Sequence, residues 1–138
     1  MILVLDTNCL LQIIPKNAEH RWLFDLIKSE EIQLGITNEI LAEYEEVLSD
    51  FYSPIVADGV LRILETLESV NHVQVYFKWN LITADPDDNK FSDCAIAVNA
   101  DYIVSYDRHF SVLKSINFPN ISVINLDDLK VLFEKTSE

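Results

Sequence analysis

Ile2 to Leu5 is an unbroken apolar run rich in β-formers, the pattern of a strand buried on both faces of a parallel sheet. It stops on Asp6-Thr7-Asn8, all good helix caps, and Cys9 to Ile14 reads as a short helix closed by Pro15. Ala18 to Ile27 follows with Trp22, Leu23, Leu26 and Ile27 at helical spacing, and Gln33 to Ile36 makes a short strand. Thr37 caps the most periodic helix of the chain, where Ile40, Leu41, Tyr44, Val47, Leu48 and Phe51 fall on one stripe. Glu43 and Glu45 flank that stripe on opposite sides equally closely, so periodicity does not choose which looks into a crevice.

Pro54 opens a further helix through Leu67, and Val73 to Phe77 reads as a strand. The run Asp85-Pro86-Asp87-Asp88-Asn89 carries turn chemistry, and Lys90 to Ala100 is the helix it starts, with Phe91, Cys94, Ala95 and Val98 on one face. Tyr102 to Tyr106 is a second buried strand and Ile121 to Ile124 the last. Asp127 to Glu134 is a closing helix capped by the Asp127-Asp128 pair. Strands alternating with helices of this length predict an α/β fold, a central, mostly parallel sheet with helices on both faces, joined by right-handed crossovers.

The 138 residues, 49% of them hydrophobic, fit one domain that buries roughly two-thirds of its unfolded surface. No apolar run is long enough for a membrane span, and Met1 leads straight into the first strand without a basic leader, so a soluble, untargeted protein is expected. Cys9 and Cys94 both sit in apolar contexts and read as small buried hydrophobes, which points to the cytoplasm. The net charge of −13 argues against binding a nucleic acid backbone unless cations intervene or the charge is segregated.

Carboxylates change that picture. Asp88, Asp93 and Asp107 fall within twenty residues, Asp93 alone among mostly apolar neighbours and Asp107 at the end of a strand as Asp6 ends the first. An ionised carboxylate removed from water is costly unless a cation or strong donors offset the loss, and no Lys or Arg is spaced to pair each of these. In a parallel sheet Asp6 and Asp107 share the edge that faces the ligand crevice, and Asp88 and Asp93 directly precede the Asp107 strand. A glutamate of the Thr37–Phe51 helix is a possible fifth member. Oxygen donors without His or Cys select Mg²⁺ or Mn²⁺, one or two ions, and that is the chemistry of phosphate-ester cleavage.

In order and spacing, several motifs resemble the PIN-domain family: the strand ending in DTN, EILAEYEEVL, DPDDNKFSDCAI, ADYIVSYD and the final FPNISVI. The branch they are most similar to is the toxin components of toxin–antitoxin pairs, the VapC-like ribonucleases. The resemblance spans nearly the whole chain and implies a single three-layer α/β/α PIN-like domain over residues 1–138. It implies a metal-dependent endoribonuclease whose acidic positions are Asp6, Glu43, Asp93 and Asp107, with Asp88 an additional carboxylate, and so favours Glu43 over Glu45. Thr7, Asn8, Asn89 and Ser105 match polar positions around that acidic centre. Relatives are often homodimers, held inactive by a cognate antitoxin; both are expectations for this chain.

One position departs from the family, which usually carries glycine before its last aspartate where this chain has Tyr106. A bulky residue there narrows the crevice or alters the turn. Lys90, Arg108 and His109 lie near the expected cluster and could touch a substrate phosphate; Arg108 and His109 read equally as exposed turn residues, and Lys90 could instead pair with an acidic neighbour. The expected reaction is hydrolysis of an RNA phosphodiester by water, without a covalent intermediate. The alternatives are a PIN-like nuclease acting on structured DNA, a catalytically silent scaffold whose acidic surface binds a basic protein, and a phospho-acceptor receiver-like domain. The last would place an acidic pair after the first strand, and this chain has only Asp6 there.

Overall fold

The computed structural model describes residues 1–136. Its elements are β1 (Ile2–Leu5), α1 (Thr7–Ile13), α2 (Arg21–Lys28), β2 (Gln33–Ile36), α3 (Asn38–Phe51), α4 (Pro54–Thr66) and β3 (Val70–His72), then α5 (Asn89–Val98), β4 (Tyr102–Val104), β5 (Val123–Ile124) and α6 (Leu126–Thr136). Two 3₁₀ segments, Pro86–Asp88 and Arg108–Ser115, precede α5 and follow β4.

The five strands form one sheet in the order β3-β2-β1-β4-β5, and every pairing is parallel. The chain moves outward from β1 to β3, crosses back through α5 to β4, and moves outward again to β5. With right-handed crossovers, that reversal sends α5 to the face opposite α1–α4, giving the three-layer α/β/α arrangement. It also leaves a crevice between β1 and β4 at the carboxyl edge of the sheet. Leu3, Val4, Leu5, Leu34, Ile36, Ile103 and Val104 are all buried, as strands covered on both faces require.

Local caps explain most of the boundaries. Thr37 Oγ1 accepts the Ile40 N–H and Ser53 Oγ accepts the Val56 N–H, starting α3 and α4 where sequence reasoning placed them. Two expectations are corrected, and one element is added. Val73–Phe77 is not a strand: β3 lies a few residues earlier, paired as Leu34↔Val70 and Ile36↔His72. The Val73 N–H takes the Ile36 carbonyl at 3.0 Å, and because Thr37 then turns the chain into α3, residues 74–77 have no strand to pair with. Residues 108–115, read without an element, form a 3₁₀ segment started by the Asp107 carboxylate, which accepts the His109 N–H at 2.9 Å. The cap of α6 is Asn125, whose Oδ1 accepts the Asp128 N–H at 2.8 Å, in place of the Asp127-Asp128 pair.

α5 lies against β1, β2 and β4, and Gly35 is what lets it approach. A Cβ at Gly35 would stand 2.6 and 2.9 Å from the two methyls of Val98 and 3.2 Å from its Cβ, so rotating Val98 does not relieve the clash. Gly35→Ala is therefore expected to destabilise the fold by about 1–3 kcal/mol. Urea unfolding of Gly35→Ala and of Gly35→Ala/Val98→Ala checks this, the second change recovering part of the loss.

Cys9 and Cys94 are free and buried, as expected. Burial pushes both thiols up to about 12, so almost no thiolate exists near neutral pH. Neither is expected to react with a thiol reagent in the folded protein, while both should react in urea.

Candidate active site

Asp6 follows β1 directly. Its N–H continues the β1–β4 ladder by donating to the Val104 carbonyl at 3.0 Å, and its carbonyl accepts from Cys9 and Leu10 to start α1. The side chain does not cap that helix. It accepts a 2.7 Å hydrogen bond from Ser105 Oγ, and the same hydroxyl accepts the Asp107 N–H at 2.9 Å. Ser105, buried two residues before Asp107, thus joins the ends of β1 and β4, orienting the Asp6 carboxylate and holding the Asp107 backbone. The simple-cap reading of Asp6 fails on this geometry.

Glu43 reaches the site from α3. Its Oε2 accepts from Thr7 Oγ1, and its Oε1 lies 2.7 Å from Lys90 Nζ. Glu45 is exposed on the α3–α4 side, so the choice that periodicity left open falls to Glu43. Tyr44, read from sequence only as a stripe residue, donates its hydroxyl to the Leu5 carbonyl and so ties α3 to the end of β1 beside Asp6.

Asp88 sits at the boundary between the Pro86–Asp88 turn and α5, buried, with Oδ2 3.1 Å from His109 Nδ1. The same nitrogen is 3.3 Å from Asp107 Oδ1, so His109 bridges the two carboxylates. Asp85, Asp88 and His109 each offer a ligand atom within 4.8 Å of the others. Sequence reasoning left histidine out of the ligand set and missed Asp85; the signals were the Asp-x-x-Asp spacing of Asp85 and Asp88, and a histidine two residues after Asp107.

The electrostatics show which groups share a site. Burial raises the Asp6 pKa, and Asp107 and Glu43 push it further up against the Ser105 hydrogen bond. Asp88 is pushed up to about 6, first by burial and then by the negative charges of Asp107, Asp85 and Asp6, with the His109 hydrogen bond opposing. His109 is raised in turn, chiefly by its bond to Asp88. Among the described residues no lysine or arginine pairs with Asp6, Asp88 or Asp107. Such a donor set, hard oxygens repelling one another with a single histidine between them, fits a small divalent cation.

Asp93 stands apart from this group. Its Oδ1 accepts the Trp79 N–H at 3.2 Å, burial is the main cause of its raised pKa, and the charges it feels are Lys78 and Glu39. It lines a separate cavity with Thr37, Glu39, Lys78 and Lys90. Five residues along a helix turn a side chain by about 140°, so Asp88 and Asp93 cannot look the same way from α5. Asn89 uses both ends of its amide on the Ile82 backbone, at 2.9 Å each, and clamps the loop before α5. Asn8 is exposed at the rim of the cavity that holds Asp6 and Asp107. Lys90, with its side chain 6% exposed, is held at 2.7 Å from both Glu43 and Asp87. Arg108 is exposed and lines a neighbouring cavity with Lys114 and Asp128.

The sequence matches the family described as PIN domain over residues 2–109. The chain belongs to the PIN-domain family. The match takes in all five expected carboxylates and ends at His109, so in this PIN domain β5, α6 and Asp127 lie beyond it. Among solved structures the PIN domain is similar to a chain of VapBC2 from Rickettsia felis, bound to a DNA fragment from their promoter, with a TM-score of 0.61 and 23% identity over 91% of this chain and 98% of that one. It is also similar to a chain of FitAB bound to the IR36 DNA fragment, with a TM-score of 0.58 and 17% identity over 91% and 95%. These likenesses show the shared fold. No curated protein sequence matches the chain. No described helix is long and apolar enough to cross a membrane.

Proposed function

We propose that this PIN domain is a divalent-metal-dependent endoribonuclease and the toxin component of a toxin–antitoxin pair. The observation that carries the reading is the gathering of Asp6, Asp88 and Asp107 at the β1/β4 switch point, where Asp107 raises the pKa of Asp6, both raise that of Asp88, and none is paired with lysine or arginine. Asp6, Asp88 and Asp107 would hold Mg²⁺ or Mn²⁺, one or two ions. Glu43 stands behind Thr7, and Asp93 is reserved for the neighbouring cavity. Bound there, the metal supplies Lewis-acid polarisation of a phosphodiester and neutralises its charge. The chain's own part is positional: Ser105 orients the Asp6 carboxylate and holds the Asp107 backbone N–H, and His109 spans Asp88 and Asp107 where it could hold or pass a proton at Nδ1.

The resemblance to toxin components, with the fold shared with chains of VapBC2 and FitAB, supports a cognate antitoxin partner, a homodimer and a cytoplasmic setting. The net charge of −13 favours a rival reading, a scaffold for a basic partner. Both are separated by incubating labelled single-stranded, hairpin and transfer RNAs and a branched DNA with protein in Mg²⁺, Mn²⁺ or EDTA. The expected result is RNA cleavage that needs the metal and disappears in Asp6→Asn. Absence of cleavage together with absence of calorimetric Mg²⁺ or Mn²⁺ binding would leave the scaffold.

A further inference from the structure

Beside the acidic cluster is a cavity of about 670 Å³ whose floor includes Asp6 and Asp107 and whose walls include Leu11, Phe51 and Tyr106. Two of those walls are aromatic rings left unusually open: Phe51 is 66% and Tyr106 46% exposed. Large exposed rings beside carboxylates are poor candidates for core packing and good ones for ligand contact.

Both rings are held in place. Tyr106 donates its hydroxyl to Asp127 Oδ2 at 2.8 Å, and the other oxygen of that carboxylate is 3.0 Å from Nε2 of the buried His20. Trp22 Nε1 donates to His20 Nδ1 at 3.1 Å. Because an indole N–H can only donate, Nδ1 must accept, which leaves the proton of neutral His20 on Nε2, donated to Asp127. A chain of three hydrogen bonds through α6 and α2 therefore fixes the Tyr106 hydroxyl. Phe51 packs edge-on against Tyr52, with centroids 4.9 Å apart, and Tyr52 donates its own hydroxyl to the Leu11 carbonyl. The anchor of Tyr106 lies outside residues 2–109, in a part of the chain the family match does not include. The bulky residue that replaces the family's usual glycine is thus built into the wall and does not flap across the crevice.

We propose that this cavity seats one unpaired nucleobase, stacked on the Tyr106 ring with Phe51 as the second wall, next to the phosphate that the acidic site addresses. The inference rests on the nuclease reading and narrows its substrate class to single-stranded RNA. A base has a π-face for an anchored aromatic ring and polar edges for Asn8 and Gln12, which share the cavity. A duplexed base is already stacked on both faces and would have to leave its helix to enter. An apolar protein segment would match the rings but would gain nothing from Asp6 and Asp107.

The test uses short single-stranded RNA carrying 2-aminopurine, whose fluorescence falls when the base stacks, titrated with wild-type protein in Ca²⁺. The larger ion takes the same carboxylate oxygens without the octahedral geometry of Mg²⁺, so it is expected to neutralise the phosphate while slowing hydrolysis, and every residue lining the cavity stays in place. The expected result is quenching on binding. Tyr106→Gly should lose the quenching and bind about ten- to a hundredfold more weakly, and Tyr106→Trp should keep both. In Mg²⁺, Tyr106→Gly should raise KM by a similar factor and leave kcat within a few-fold. Failure of wild-type protein to bind the RNA in Ca²⁺, equal affinity for the same sequence as a duplex, or unchanged affinity and quenching in Tyr106→Gly each overturns the proposal. Tyr106-dependent quenching by wild-type protein that hydrolyses nothing in Mg²⁺ or Mn²⁺ would support the seat and sink the nuclease reading instead.

Discussion

Asp88→Asn is expected to lower RNA cleavage on the order of a thousandfold and, in EDTA, to leave the fold slightly more stable than wild type. The two effects have one cause. Asp88 is buried among Asp107, Asp85 and Asp6, which lifts its carboxyl from the ordinary 3.8 to about 6. The folded protein therefore holds this proton more tightly than the unfolded chain does. As pH rises through the window between about 4 and 6, the unfolded chain releases this proton while the folded state still holds it, so wild-type stability falls. Below that window the carboxyl is protonated in both states and the penalty vanishes; above it the penalty is complete. The amide of Asp88→Asn carries no such charge, so the two proteins should be equally stable near pH 4 and differ by about 1 kcal/mol at pH 7, a figure kept small because the crevice opens to solvent. Mg²⁺ or Mn²⁺ should reverse the order, raising the wild-type melting temperature through binding to the folded state and shifting Asp88→Asn much less. Melting curves at pH 4 and 7, with and without metal, check every part of this. Asp88→Asn protein that cleaves at the wild-type rate would remove Asp88 from the site.

Lys90→Met should have the largest effect on folding. The ammonium is buried against Glu43 on one side and Asp87 on the other, both at 2.7 Å, and the hydrogen bonds and charges of these two hold its pKa above the ordinary lysine value despite the opposing effect of burial. Removing it leaves the partly buried Glu43 carboxylate facing Asp6 with only Thr7 as donor. Breaking such a pair from one side destabilises by about 2–4 kcal/mol. Glu43→Gln in the same protein should recover a substantial part, because a neutral amide needs no counter-charge; a double-mutant cycle by urea unfolding measures the coupling. The same cycle bears on the role of Lys90. A lysine that served the substrate alone would alter KM and leave unfolding untouched, whereas the geometry makes it the counter-ion that allows Glu43 to stand near the aspartates.

Sequence pattern was strongest where one element's own chemistry decides the outcome. The double-sided apolar runs of β1 and β4, the Thr37 cap, the Pro54 start and the α3 stripe are local features, and all stand where they were expected. The carboxylates were legible for the same reason: Asp6 and Asp107 end parallel strands, and topology places such ends together. Val73–Phe77 misled because its alternation is that of a strand, while strand formation depends on a partner that β2 had already ceased to supply. Asp127 misled because a cap and a hydrogen-bond acceptor for Tyr106 and His20 look alike until the far ends of the chain are brought together.

By itself the sequence determined the α/β class, the family and the residue types that could hold a divalent cation. Only the tertiary structure decided which of them meet. It turned Glu43 inward and Glu45 out, separated Asp93 from Asp88 by the turn of α5, enclosed Lys90 between two acids and placed His109 across Asp88 and Asp107. It also fixed Tyr106 to Asp127. Those outcomes depend on distances between groups up to about a hundred positions apart, such as Ser105 Oγ and the Asp6 carboxylate. Periodicity along a chain records the face a side chain prefers, and carries no information about what stands opposite it.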